Sequence, residues 1–194
     1  MIFEIDKEKQ LEMIREDSAN ISLILNPCEE VQEEVVRKIP NLIRDIKNPC
    51  KEAQLIACKA SSVNLLYIDN PLYEVQLETV KYDGFAIKYI KNPCLELQME
   101  AVKETTNSIR YIQNPDLDVM LYVIRRKPHN IKKIINKLNI KDKSDLLKLN
   151  RELLITLINQ GCLGKSTLDY LLENCDRELK LVIMEYKLDG GIIS

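Results

Sequence analysis

The chain has 194 residues, with 28 Lys or Arg against 30 Asp or Glu and a formal net charge of −2, so its overall charge points to neither a polyanion nor a polycation as partner. Only five Gly and seven Pro occur, and 45% of residues are hydrophobic, a composition that excludes disordered, collagen-like and low-complexity chains. Its apolar runs are a handful of residues broken by Lys, Asp or Asn, too short for a membrane-spanning helix.

The first six residues meet an acid at Glu4 before any apolar core could form, so no signal peptide is expected and the expected compartment is cytoplasmic. From there the chain repeats itself. Asn-Pro stands at Asn26-Pro27, Asn48-Pro49, Asn70-Pro71, Asn92-Pro93 and Asn114-Pro115, five copies 22 residues apart without insertion or deletion. Such a short fixed period is the signature of stacked repeats, none of which can bury its apolar face alone. Counting back one period places residues 4–25 in the same frame, with Gln10 where Gln32, Gln54, Gln76 and Gln98 fall. That first copy lacks Asn-Pro and is expected to cap the array.

The first half of each repeat predicts an amphipathic helix. Val31, Val35 and Val36 in one copy, and Leu97, Ala101 and Val102 in another, give the i, i+4, i+5 apolar stripe. Asp6 and Asp116 occupy the N-cap position in the end copies, where a carboxylate can accept from free N–H groups. Cys28, Cys50, Leu72 and Cys94 replace it in the middle copies and cap poorly. The second half carries Ile21/Ile24, Ile43/Ile46, Leu65/Ile68, Ile87/Ile90, Ile109/Ile112 and Ile131/Ile134, an i, i+3 pair compatible with one or two turns of α- or 3-10 helix. Pro40, Ser61-Ser62, Asp83-Gly84, Thr105-Thr106 and Pro128 separate the halves. Asn-Pro then ends each short helix, because proline lacks an N–H and restricts the residue before it.

The run Asn-Pro-x-x-Glu-Val/Leu-Gln-x-x-Ala/Val-Val-Lys followed by Ile-x-x-Ile resembles the short Asn-Pro helical repeats of phage, giant-virus and bacterial proteins. It is similar, more loosely, to HEAT and variant leucine-rich repeats. The resemblance covers roughly residues 4–135. It implies an all-α fold, a curved α-solenoid used for binding, and it carries over no catalytic residue and no cofactor. The expected organisation is therefore a six-copy array over 1–135 and a C-terminal helical cap, or alternatively a small separate domain, over 136–194. In that tail residues 143–159, 166–174 and 176–187 predict three further helices, the middle one opened by a Ser166/Asp169 capping box.

Several features invite a chemical reading. Gly161-Cys162-Leu163-Gly164-Lys165-Ser166-Thr167 is suggestive of a phosphate loop, but Asn159 stands where the first glycine is required. The single His129 follows Pro128 and has no second His with which to build a triad or His-based metal site. Cys28, Cys50 and Cys94 share a repeat position at a helix start, where the dipole would lower a thiol pKa. They lie a repeat apart, beyond the ~7 Å that a disulfide tolerates, and are read as reduced spacers. The glutamine column is expected to bond loop carbonyls of the neighbouring repeat.

Two surface columns remain as partner-binding candidates. Arg15, Arg37, Lys59, Lys81, Lys103 and Arg125 close the long helices, while Arg44, Lys88, Arg110 and Lys132 lie on the short ones. Either could track a phosphate backbone or an acidic protein face. Against that, Glu12, Glu34, Glu78 and Glu100 precede those cations by three residues, a spacing of weak helix-surface pairs worth ~0.2–0.5 kcal/mol. Tyr67, Tyr89 and Tyr111 form an aromatic column beside the short-helix cations, suited to stacking bases or anchoring a protein hot spot, or to packing between layers. The full candidate set adds Arg126 and Lys133. Charge is also polarised, since residues 1–36 hold three Lys or Arg against ten Asp or Glu, whereas Arg125, Arg126, Lys127, Lys132, Lys133, Lys137 and Lys141 fall in a stretch without acids.

The expected function is a non-enzymatic interaction module that binds a protein or a ribonucleoprotein, with no membrane and no small-molecule substrate. The resemblance and the Ile/Lys/Asn-rich composition would suit a phage-encoded inhibitor of a host defence nuclease. Direct RNA or DNA binding through the Lys/Arg and Tyr columns is the alternative.

Overall fold

The computed structural model of the chain describes residues 5–127 and 151–189, and every regular element in them is helical. The chain is all-α as expected, and it divides into two compact units, Met1–Glu104 and Thr105–Ser194. The expected passage from array to tail near residue 135 lies outside the described residues. So do Pro128, His129 and the Ile131/Ile134 pair.

In the first unit five α-helices, α1 (Lys7–Glu16), α2 (Glu29–Lys38), α3 (Lys51–Ala60), α4 (Tyr73–Tyr82) and α5 (Leu95–Glu104), are each ten residues long. They alternate with four six-residue 3-10 helices, η1 (Ser18–Leu23), η2 (Pro40–Asp45), η3 (Ser62–Tyr67) and η4 (Gly84–Tyr89). The choice of 3-10 over α for the short half follows from length. Ten α residues span ~15 Å. Six residues span ~12 Å as 3-10 but only ~9 Å as α, so the tighter helix lets a short segment return along nearly the whole length of its partner.

Each α-helix packs on the next and each 3-10 helix on the next. The expected stripe makes the contact. Val31, Val35 and Val36 are fully buried, as are Ala53 and Ala57, Val75 and Val80, and Ala101 and Val102. Behind them Ile21, Ile43, Leu65 and Ile87 are buried from the 3-10 side. Small Ala and Val at the α positions and larger Ile and Leu at the 3-10 positions fill the space between layers without clash.

Polar groups inside this core are satisfied periodically. Gln10, Gln32, Gln54, Gln76 and Gln98 donate from Nε2 to the carbonyl five residues earlier, that of Ile5, Pro27, Pro49, Pro71 or Pro93, at 2.7–2.9 Å. The Oε1 of Gln10, Gln32 and Gln54 accepts from the backbone N–H of Cys28, Cys50 and Leu72 in the following repeat, at 2.7–3.0 Å. The expected direction is thus corrected: the amide donates within its own repeat and accepts across the boundary. It binds the N-cap residue itself, the position where Cys28, Cys50 and Leu72 make no side-chain cap bond. Asp6 caps α1 as predicted, accepting from Lys9 N–H at 2.8 Å. Buried Asn64 closes the other end of a helix, donating to the Ala57 carbonyl at 2.7 Å, and Asn20 does the same to Met13.

The second unit holds η5 (Thr106–Tyr111), α6 (Leu117–Arg126), α7 (Arg151–Asn159), α8 (Lys165–Asn174) and α9 (Arg177–Leu188). Thus η5 and α6 keep the 22-residue register of the first unit. Its tail core gathers Leu154, Ile158, Leu168, Leu171, Leu179 and Ile183. One predicted start is corrected: α8 begins with Gly164 as N-cap and no side-chain cap bond. Ser166 therefore lies inside the first turn, and Asp169 accepts from Lys187 of α9 at 2.6 Å. Asp176 caps α9 by accepting from Leu179 N–H at 2.9 Å.

Gly161 ends α7 with φ +64. Cys162 N–H bonds the Leu157 carbonyl and Gly161 N–H the Ile158 carbonyl, the paired closure that a left-handed residue makes possible. A Cβ there would meet the Tyr186 hydroxyl at 2.7 Å.

Two outcomes test these packing arguments. Gly161→Ala should lower stability in urea denaturation by about 1–3 kcal/mol; adding Tyr186→Phe should recover part of that loss, since the next ring atom lies 3.9 Å away. Gln32→Ala should cost about 2–4 kcal/mol, because the Pro27 carbonyl and Cys50 N–H lose their partner, and Gln32→Met should be nearly as costly although it restores volume. Full recovery with Met would show that the column acts by packing alone.

Candidate functional site

The predicted cations fall on two separate strips. Lys59, Lys81 and Lys103 stand in the last turns of α3, α4 and α5, at the corner leading into a 3-10 helix. Arg44 and Lys88, with Tyr67 and Tyr89, stand at the far ends of the 3-10 helices, next to the Asn-Pro turns. The two strips are separated by the length of an α-helix, ~15 Å.

On the first strip the acids largely neutralise the bases. Lys81 pairs with Glu78 at 3.2 Å and Lys103 with Glu100 at 2.6 Å, as the spacing predicts. Two expected pairs are replaced. Glu12 pairs with Lys9, and Arg37 pairs with Glu33 at 2.8 Å. Glu34 instead lies where α1 and α2 meet and is shared by Lys38 at 3.1 Å and Arg15 at 3.7 Å. Of these contacts only Arg15–Glu34 crosses between repeats; the other replacements are alternative pairs on the same helix. Lys59 is exposed and has no ion-pair partner among the described residues.

In the second unit Arg125 pairs with Glu152 at 2.6 Å, Arg126 is exposed, and the Arg110 guanidinium lies over the Tyr111 ring at 5.1 Å. Lys132 and Lys133 lie outside the described residues. A cavity of about 630 Å³ in this unit is lined by Arg125, Arg151, Glu152, Thr156, Asn159 and Gln160. Its arginines are already engaged, Arg151 with Asp176 at 2.8 Å and Glu178 at 2.7 Å.

The Asn-Pro edge of the first unit has a different character. Two recesses open there, of about 450 Å³ and 340 Å³. Buried Ile46 and Ile68 floor the first, and Asn48 and Tyr67 stand at its mouth. One repeat on, Ile68 and Ile90 line the second, with Asn70 and Tyr89 in the equivalent places. Tyr67 is 42% exposed and Leu66, between the two, 58% exposed. Lys88 Nζ lies 4.6 Å from the Tyr89 ring centroid. Charges of both signs line the recesses: Arg44 and Lys47 with Asp45 and Asp69 in the first, and Lys91 with the same Asp69 in the second.

Sequence reading missed the part played by the asparagines. It explained them by the turn, and for Asn48 and Asn92, at φ 54 and 49, the left-handed conformation does favour Asn. Asn70 recurs in the same column without a positive φ. The side chains of Asn48 and Asn70 are exposed, and neither hydrogen-bonds another described residue. An amide repeated where neither backbone geometry nor an internal bond requires it was the available signal.

All six cysteines are free. The dipole effect expected at the N-cap column is outweighed at Cys50, where burial raises the thiol pKa. Cys58, in the buried stripe of α3, is pushed up to about 11 by burial. The segment after Asn159 follows a helix and not a strand, with Gly161 and Gly164 serving as helix end and helix start.

No family model, curated protein or solved structure matches the chain.

The cysteine environments predict an order of alkylation. Iodoacetamide at neutral pH should label exposed Cys94 first and buried Cys58 only on unfolding, since Cys58 is neither accessible nor ionised. Peptide mass mapping over time would read this, and early labelling of Cys58 would mean that the α3 stripe opens.

Proposed function

We propose that the repeated segment is a stretch of α-solenoid and that the chain is a non-enzymatic interaction module, which holds a protein or ribonucleoprotein partner along its Asn-Pro edge. The observation that carries this reading is the pair of equivalent recesses, each lined by charges of both signs and by a half-exposed tyrosine. Recurrence of one kind of recess at a fixed interval suits an elongated partner. Tyrosine and an exposed leucine beside it supply the apolar anchor typical of interface centres, and the ionic groups around them form the polar rim.

Carboxylates at the recesses favour this reading over direct binding of RNA or DNA. A phosphate backbone gathers uncompensated cations and releases counterions, whereas Asp45 and Asp69 sit among the bases at these recesses. On the long-helix strip Lys81 and Lys103 are already paired with glutamates.

Capture from cells of the chain's origin with the full chain and with Tyr67→Ala/Tyr89→Ala, read by quantitative mass spectrometry before and after nuclease treatment, tests the proposal. At least a tenfold loss of one protein with the double variant, insensitive to nuclease, is expected. Equal recovery by both proteins, or binding to bare RNA that weakens steeply with salt, would overturn it.

A further inference from the structure

Resting on the interaction reading above, we propose that the occupant of the Asn-Pro edge is an extended polypeptide segment in polyproline II conformation, with an apolar side chain at every third residue. Its side chains would enter the Tyr67 and Tyr89 recesses, and the amides of Asn48 and Asn70 would bond its main chain.

Spacing carries the first part. Successive repeats pack side by side in this unit, and packed helix axes lie about 8–10 Å apart, so equivalent recesses recur at about that interval. A polyproline II chain has three residues per turn and rises about 3.1 Å per residue, bringing residues i and i+3 to the same face about 9 Å apart. A β-strand covers a similar distance in three residues but turns residue i+3 to the opposite face. An α-helix laid along the edge places same-face residues about 4.5–6 Å apart (i, i+3 or i+4) or about 10.5 Å apart (i, i+7), on either side of that interval.

Chemistry carries the second part. The apolar floors of Ile46, Ile68 and Ile90 take apolar side chains, and half-exposed tyrosines at both mouths supply the aromatic walls against which such chains dock. A polyproline II main chain makes no internal hydrogen bonds, so its N–H and C=O groups need outside partners. The Asn48 and Asn70 amides each offer donors and an acceptor, are exposed, and recur at the same interval as the recesses. Asp45 and Asp69, set among Arg44, Lys47 and Lys91, suit a neutral main chain better than a polyphosphate, which the carboxylates would repel.

Selection of a random dodecapeptide display library on the immobilised full chain tests this. Enriched peptides should show apolar residues in a period of three. Their affinity, by fluorescence anisotropy of synthetic copies, should fall at least tenfold with Asn48→Gly/Asn70→Ala, a pair that keeps the left-handed backbone available at position 48, and with Tyr67→Ala. Both variants should keep the parent Tm. Enrichment with a period of two, a helical period, or no Tyr67-dependent enrichment at all would overturn the inference, as would unchanged affinity in the asparagine variant. If such peptides fail while the cellular partner is still lost with Tyr67→Ala/Tyr89→Ala, the interaction reading stands and only the extended occupant falls. Displacement of bound peptide by oligouridylate, steeply weakened by salt, would instead assign the edge to nucleic acid.

Discussion

A glutamine amide that serves two backbones at once is the constraint on which the repeated unit depends. At Gln10, Gln32 and Gln54 the donor holds the carbonyl just before the helix, and the acceptor holds the first N–H of the next repeat. Backbone groups at a helix start have no partner within the helix. Buried between repeats, they would each cost about 1–3 kcal/mol if left unpaired. One side chain removes both penalties and fixes the register of adjacent copies.

That bond also explains why the middle copies do without N-cap side chains. Asp6 instead uses its own carboxylate. Cys28, Cys50 and Leu72 are gripped by the repeat before them, so the position is released to small or apolar residues that fit against the Asn-Pro turn. Burial then governs the chemistry of Cys50, whose thiol pKa desolvation raises despite its place at a helix start. The 3-10 return helix completes the unit, since its longer rise lets six residues cover most of a ten-residue partner.

The two cation strips differ for the same structural reason. At the long-helix corner glutamates of the same helix pair with Lys81, Lys103 and Arg37, and Glu34 of the neighbouring helix reaches Arg15. At the Asn-Pro edge short helices end beside open turns, and side chains of Tyr67, Leu66, Asn48 and Asn70 are left facing outward. Buried polar side chains are bonded inside the first unit, whereas Asn48 and Asn70 along this edge are exposed and bond no other described residue, which is why the functional reading rests there.

The 22-residue period, the helical class, the buried α stripe and the carboxylate cap at Asp6 were legible in the sequence, because each follows from local rules: apolar spacing, the missing N–H of proline, and an acceptor at a helix start. The acceptor side of the glutamine bonds and the reach of Glu34 to Arg15 were not, because each depends on a neighbour one repeat away whose distance the sequence does not state; nor was the choice of 3-10 helix, which the length of the partner helix sets, nor the pairing of Glu12 with Lys9, one of several spacings open on the same helix. Tyr67 and Tyr89 were visible as a column, yet their separation from Lys59, Lys81 and Lys103 emerged only once the chain had length and direction in space. Sequence by itself determined which residues recur; tertiary packing decided which recurring residues are consumed in holding repeats together and which are left exposed, since both outcomes are set by what the adjacent repeat brings within hydrogen-bond reach.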